Sequence, residues 1–70
     1  MEKHTLEVIM DGAFGQELAA KLETLGTVLN ATEGDEECWA EVSTTLTADQ
    51  LQRKLLKVWP MCSISVKEVQ

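Results

Sequence analysis

From Thr5 to Met10 the chain alternates, with Leu6, Val8 and Met10 on one side and Thr5, Glu7 and Ile9 on the other. That period of two predicts a half-buried strand. Asp11, Gly12, Ala13, Phe14 and Gly15 interrupt it, and the two glycines permit backbone angles that a strand or helix interior resists. The period then lengthens. Leu18, Leu22 and Leu25 recur at i, i+4 and i+7 with Ala19 beside them, so residues 16–25 predict a helix with one apolar stripe. Glu17 precedes Lys21 by four residues, a favourable pairing, and Gly26 stands where a C-terminal cap belongs.

Residues 27–32 have strand propensity but poor alternation, which leaves their register open. Glu33, Gly34, Asp35, Glu36 and Glu37 predict a turn carrying four carboxylates. Alternation resumes with Cys38, Ala40 and Val42 inward, so the two strands and their short turn predict a hairpin. Thr47 followed by Gln50 is a capping-box pattern that opens a second helix. Leu51, Leu55, Val58 and Trp59 trace its apolar face, and Arg53, Lys54 and Lys57 gather toward its C-terminal end. Pro60 stops it. Residues 61–69 alternate once more, with Cys62, Ile64 and Val66 on one face.

The order is β-α-β-β-α-β over residues 1–70 as one domain. It predicts a ferredoxin-like α+β fold, a four-stranded antiparallel sheet with both helices on one face. Right-handed crossovers put the first and third strands at the centre and the second and fourth at the edges.

Composition narrows the function classes. With 44% apolar residues in 70, the chain is too apolar for a disordered tail and supports one small core. Twelve acidic against six basic residues give a net charge of −6, which argues against a nucleic-acid partner because like charges repel phosphate backbones. No apolar run approaches the ~20 residues of a membrane span, and the first residues lack a signal-peptide pattern. Two cysteines form neither a CxxC motif nor a disulfide framework, so the expected setting is cytoplasmic, with reduced thiols.

Candidate chemistry is sparse. In the expected topology Cys38 and Cys62 lie on the third and fourth strands with the first between them. Their backbones are then about 9.6 Å apart, beyond disulfide reach, and both point toward the helices as small apolar groups. The single His, His4, is expected at a frayed end, remote from either thiol. Three Cys or His in all do not make a zinc site, and the acidic turn lacks the spaced oxygens of a calcium loop, so neither metal nor cofactor is expected. The loop of Asp11, Gly12 and Gly15 leads into a helix N-terminus, where free N–H groups receive anions, yet it carries no Arg or Lys. Asp11 as a local cap and Phe14 as an apolar plug are the competing roles there.

The remaining surface is the more informative one. If Cys38, Ala40 and Val42 face inward, then Trp39, Glu41 and Ser43 face away from the helices. By the same alternation Ile9 and Met61 point outward. Trp39, Ile9 and Met61 then form an apolar centre within a polar field of Thr5, Glu7, Ser63 and Ser65, the composition of an interface.

Two short patterns resemble known regulatory domains. Met10-Asp11-Gly12-Ala13-Phe14-Gly15 followed by Leu18 resembles the Asp-x-x-Gly-x-Leu turn of ACT domains, with Phe14 where that turn commonly carries Pro. The resemblance implies an amino-acid effector site at Asp11, Gly12 and Gly15. The Leu25-Gly26 turn, the Ala40-Glu41-Val42 strand, the Leu51 to Leu55 helix and the Ile64 to Val69 strand resemble the response-regulator docking domain of chemotaxis histidine kinases. That likeness implies a non-catalytic module that binds a receiver protein.

The expectation is thus a non-enzymatic interaction or regulatory module. Its partner-binding residues are Trp39, Ile9, Met61 and Glu41, and its partner is a protein or a second copy of itself in a homo-oligomer. An amino-acid sensor and an acidic inhibitor that imitates nucleic acid are the alternatives.

Overall fold

The computed structural model of the protein describes residues 2–69. Strand β1 (His4–Asp11) pairs antiparallel with β3 (Glu37–Thr44) at the centre of the sheet. Strand β2 (Thr27–Glu33) borders β3, and β4 (Ile64–Glu68) borders β1, giving the order β2-β3-β1-β4. Helices α1 (Gly15–Glu23) and α2 (Ala48–Val58) complete a ferredoxin-like α+β fold.

Register builds the core. Leu6 sits opposite Val42, Val8 opposite Ala40 and Met10 opposite Cys38, and all six are buried. Leu18 and Leu22 of α1, Leu51 and Leu55 of α2 and Ile64 of β4 close over them in one cluster. Each fully buried Leu contributes about 1.5–3 kcal/mol, so these four helix leucines are the main clamp of helices to sheet. The intervening strand residues, Thr5, Glu7, Ile9, Trp39, Glu41 and Ser43, are only partly buried and face away from both helices.

Helix α2 begins as its sequence implies. The Thr47 hydroxyl accepts the Gln50 N–H at 3.1 Å, and the Gln50 side-chain oxygen accepts the Thr47 N–H at 3.0 Å. Its apolar stripe differs in detail. Ala48, Leu51, Leu55, Leu56 and Trp59 pack on the core, which leaves Val58 at the margin and 45% exposed. Trp59 caps the end of the helix and packs against the core, as its place on the apolar stripe implies.

Three further expectations are corrected. Strand β4 starts at Ile64, so residues 61–63 belong to the turn that follows Pro60. The poor alternation of β2 has a cause, a bulge between Val28 and Asn30 that leaves Leu29 exposed. His4 is not frayed: it lies within β1, its Nδ1 pairs with Glu68 Oε1 at 2.8 Å, and its Nε2 hydrogen-bonds with the Leu46 carbonyl.

Gly26 is needed for space rather than for a left-handed cap. The α1 C-cap is Thr24 in right-handed geometry, and Gly12 is the one described glycine with positive φ. A Cβ on Gly26 would lie 2.3 Å from the Ser43 carbonyl oxygen and 2.9 Å from Thr44 Cβ. The buried Thr44 hydroxyl, meanwhile, donates to the Leu25 carbonyl at 2.9 Å, which draws the end of α1 onto β3. Replacing Gly26 with Ala must therefore separate backbone from backbone. We expect Gly26→Ala to lose about 1–3 kcal/mol in urea unfolding at an unchanged m-value. A loss within experimental error would show that the close approach is not required.

Candidate functional site

The uncovered sheet face carries the candidate site. Ile9 and Trp39 stand directly opposite each other across β1 and β3, both half-buried. Thr32 borders Trp39 from β2, and Ser65 borders Ile9 from β4. This pair is the apolar centre expected from alternation, with one correction. Met61 is not part of it, because Met61 precedes β4 in the turn after Pro60 and is 94% exposed there. Strand alternation does not extend through that turn, so the outward position assigned to Met61 on the sheet does not exist.

Beside this centre lies a charged row. Glu7 and Glu41 are directly opposite, an unfavourable like-charge pairing unless each is compensated. Each is. Asn30 Nδ2 donates to Glu41 Oε1 at 3.2 Å, and Lys67 Nζ lies 3.4 Å from Glu7 Oε1. Polar interaction with the Trp39 side chain, diagonally across the strand pair, and the Lys67 charge outweigh partial desolvation and hold the Glu7 carboxyl below the usual carboxylate range.

The alternative site, the loop between β1 and α1, is satisfied from within. The Asp11 carboxylate accepts the Ser63 N–H at 2.7 Å, and the Asp11 N–H donates to the Ser63 carbonyl at 3.1 Å. Asp11 thus extends the β1–β4 ladder and does not cap α1. Gly12 takes φ of +97° and donates its N–H to the Glu36 carbonyl at 2.7 Å. The Phe14 ring lies against Gly12 and leaves no room for a Cβ there. Gly15 opens α1, and its N–H donates to Glu33 Oε1 at 2.7 Å. A Cβ on Gly15 would lie 2.7 Å from Glu33 Cβ. A carboxylate from β2 therefore already occupies the anion position at this helix start. Sequence reading placed Glu33 in a solvated turn and missed this role. The two partners are 18 residues apart, and no local pattern joins them.

The thiols are held in their protonated forms. Cys38 is buried, its Sγ 3.7 Å from the Met10 carbonyl oxygen. Burial pushes this thiol up, and the Glu33, Cys62 and Asp11 charges add to that against a hydrogen bond with the Phe14 backbone. Cys62 is half-buried in the turn before β4, not on the strand as expected, and packs against the core. Its thiol is raised by burial and then by the charge and hydrogen bond of Asp11. His4 pairs with Thr44 six residues along β1 from Met10, about 20 Å from these thiols by strand rise. The one imidazole of the chain therefore stands near neither sulfur.

Among the described residues no group of three or more His, Cys, Asp and Glu could hold a metal ion. Among the same residues no helix is long and apolar enough to cross a membrane. No family model, curated protein or solved structure matches this chain.

Two measurements check these electrostatics. Ionised Glu7 contributes stability that is fully present above pH about 4.5 and is lost as pH falls through its lowered folded value. Glu7→Gln should therefore be less stable than wild type at pH 7, with the difference closing in acid. A gap that persists unchanged at pH 2 would contradict the assignment. Asp11→Asn should lower the Cys62 thiol toward its ordinary range and speed its alkylation at pH 8, relative to wild type. Equal rates would show that burial alone protects Cys62.

Proposed function

We propose that this chain is a non-enzymatic protein-interaction or regulatory module. It acts by presenting its open sheet face or edge to a protein partner or to a second copy of itself. The carrying observation is the Ile9–Trp39 pair, an apolar centre opposite the helices, rimmed by Glu7, Glu41, Ser43, Ser65 and Lys67. An aromatic anchor surrounded by polar side chains is the usual composition of a binding hot spot and its rim. The protonated thiols and the distant His4 favour a binding role over a catalytic one. Two unbridged thiols favour a cytoplasmic setting.

Trp39→Ala tests the reading directly. The variant should keep its circular dichroism spectrum, since the indole lies outside the core. It should weaken capture of the partner, or self-association in sedimentation, by about tenfold or more. A wild-type protein that stays monomeric, with partner capture indifferent to Trp39→Ala, overturns it.

A further inference from the structure

The sheet has two edges, and they are guarded differently. Strand β4 is five residues long and carries Lys67 and Glu68, the latter held by His4. Strand β2 is seven residues long, and its protection is the bulge between Val28 and Asn30. Beyond the bulge its pairing with β3 is regular: Asn30 with Glu41, Ala31 with Ala40, Thr32 with Trp39 and Glu33 with Cys38. The outer side of that stretch has no strand beside it, and all four residues are exposed.

Two depressions adjoin it. A groove of about 240 Å³ runs between α1 and β2, lined by Gly15, Gln16, Ala19, Ala31, Thr32 and Glu33. The volume is below the ~300–1,000 Å³ of small-molecule sites, and suits side chains of a neighbouring strand better than a free metabolite. At the end of β2 lies a second depression, formed by Asp11, Gly34, Asp35, Glu36 and Glu37. Three of its carboxylates, Asp35, Glu36 and Glu37, lie in the turn at the end of this edge strand and favour a cationic occupant, and the net charge of −6 adds long-range attraction.

We propose that the Asn30 to Glu33 edge of β2 is the docking strand for an extended basic segment of a protein partner. This rests on the interaction-module reading and names its partner's chemistry. The segment adds a fifth strand, with small or β-branched side chains over the α1–β2 groove and Arg or Lys at the acidic turn. Antiparallel addition, the pattern of the whole sheet, puts the basic residues at the segment's N-terminal end. A second copy of β2 is the poorer occupant. Its residues from Thr27 to Glu33 include no cation to meet the carboxylates, and each copy brings a charge of −6.

The test is an NMR titration of the whole isotope-labelled chain with a blocked hexapeptide, Arg-Lys-Val-Thr-Val-Thr. We expect amide shifts at Asn30 to Glu33 and at Gln16 and Ala19, half-saturating below about 1 mM. Binding should weaken about tenfold for a Glu-Glu-Val-Thr-Val-Thr peptide, for a peptide N-methylated at alternate amides, and for Glu36→Lys with Glu37→Lys. Glu36→Gln with Glu37→Gln repeats the last comparison without charge reversal. No shift at that concentration overturns the edge proposal, as do β2 shifts of equal size with all three peptides. Shifts confined to the Ile9 and Trp39 face also overturn it, but leave the interaction-module reading standing. Failure of that broader reading is registered separately, by the indifference of partner capture to Trp39→Ala.

Discussion

Pairing of β1 with β3 determines both faces of the molecule at once. Leu6, Val8 and Met10 reach the helices because they lie opposite Val42, Ala40 and Cys38. The same alternation sends Ile9 and Trp39 to the other side. A slip of one residue in either strand would bury Glu7 or Trp39 under the leucines and strand three core residues in water. The open face is therefore a geometric consequence of the core. Packing of the interior fixes which residues stand on the open face without any contact from the helices.

Polar links at the ends of the elements stop such a slip. His4 joins β1 to Glu68 and to the Leu46 carbonyl at one end of the sheet, and Asp11 joins β1 to Ser63 at the other. Thr44 draws the end of α1 onto β3, and Glu33 holds its start against β2. Hydrogen bonds of this kind each contribute about 0.5–1.5 kcal/mol, less than a buried Leu. Their value lies in direction, since a hydrophobic core alone tolerates small displacements that these distances do not. They also engage the Asp11 carboxylate and the Gly15 N–H in the loop between β1 and α1.

The fold was legible because every element but β2 carries a period of its own. Alternation over residues 5–10 and 38–43, leucines at helical spacing, and the Thr47 to Gln50 cap are local signals, and each survives in the structure. The errors lie where the deciding contact is distant in sequence. Glu33 caps a helix that begins 18 residues earlier, and His4 bonds to a carbonyl 42 residues on. Met61 and Cys62 continued the β4 alternation on paper, but the turn after Pro60 uses those positions to reach the sheet. Periodicity cannot see where a strand starts when the residues before it happen to alternate. The Ile9–Trp39 half of the candidate site needed only alternation, so it was found. The effect of Trp39 on Glu7 depends on diagonal neighbours across a strand pair, and register had to be known first.

The charged row beside Ile9 and Trp39 bears on what kind of surface this is. Two carboxylates directly opposite one another cost stability, and a face shaped only for solubility would more simply alternate their signs. Here Glu7 and Glu41 are retained, with Trp39, Lys67 and Asn30 arranged to offset them. The compensation comes from both outer strands, Lys67 on β4 and Asn30 on β2. An incoming cation that engaged Glu7 would compete with Lys67 for the same carboxylate. Ligation at the proposed β2 edge meets the same network from the other side, since Asn30 is at once an edge residue and the partner of Glu41. Asn30 in this way joins the edge of the sheet to the charged row of its open face.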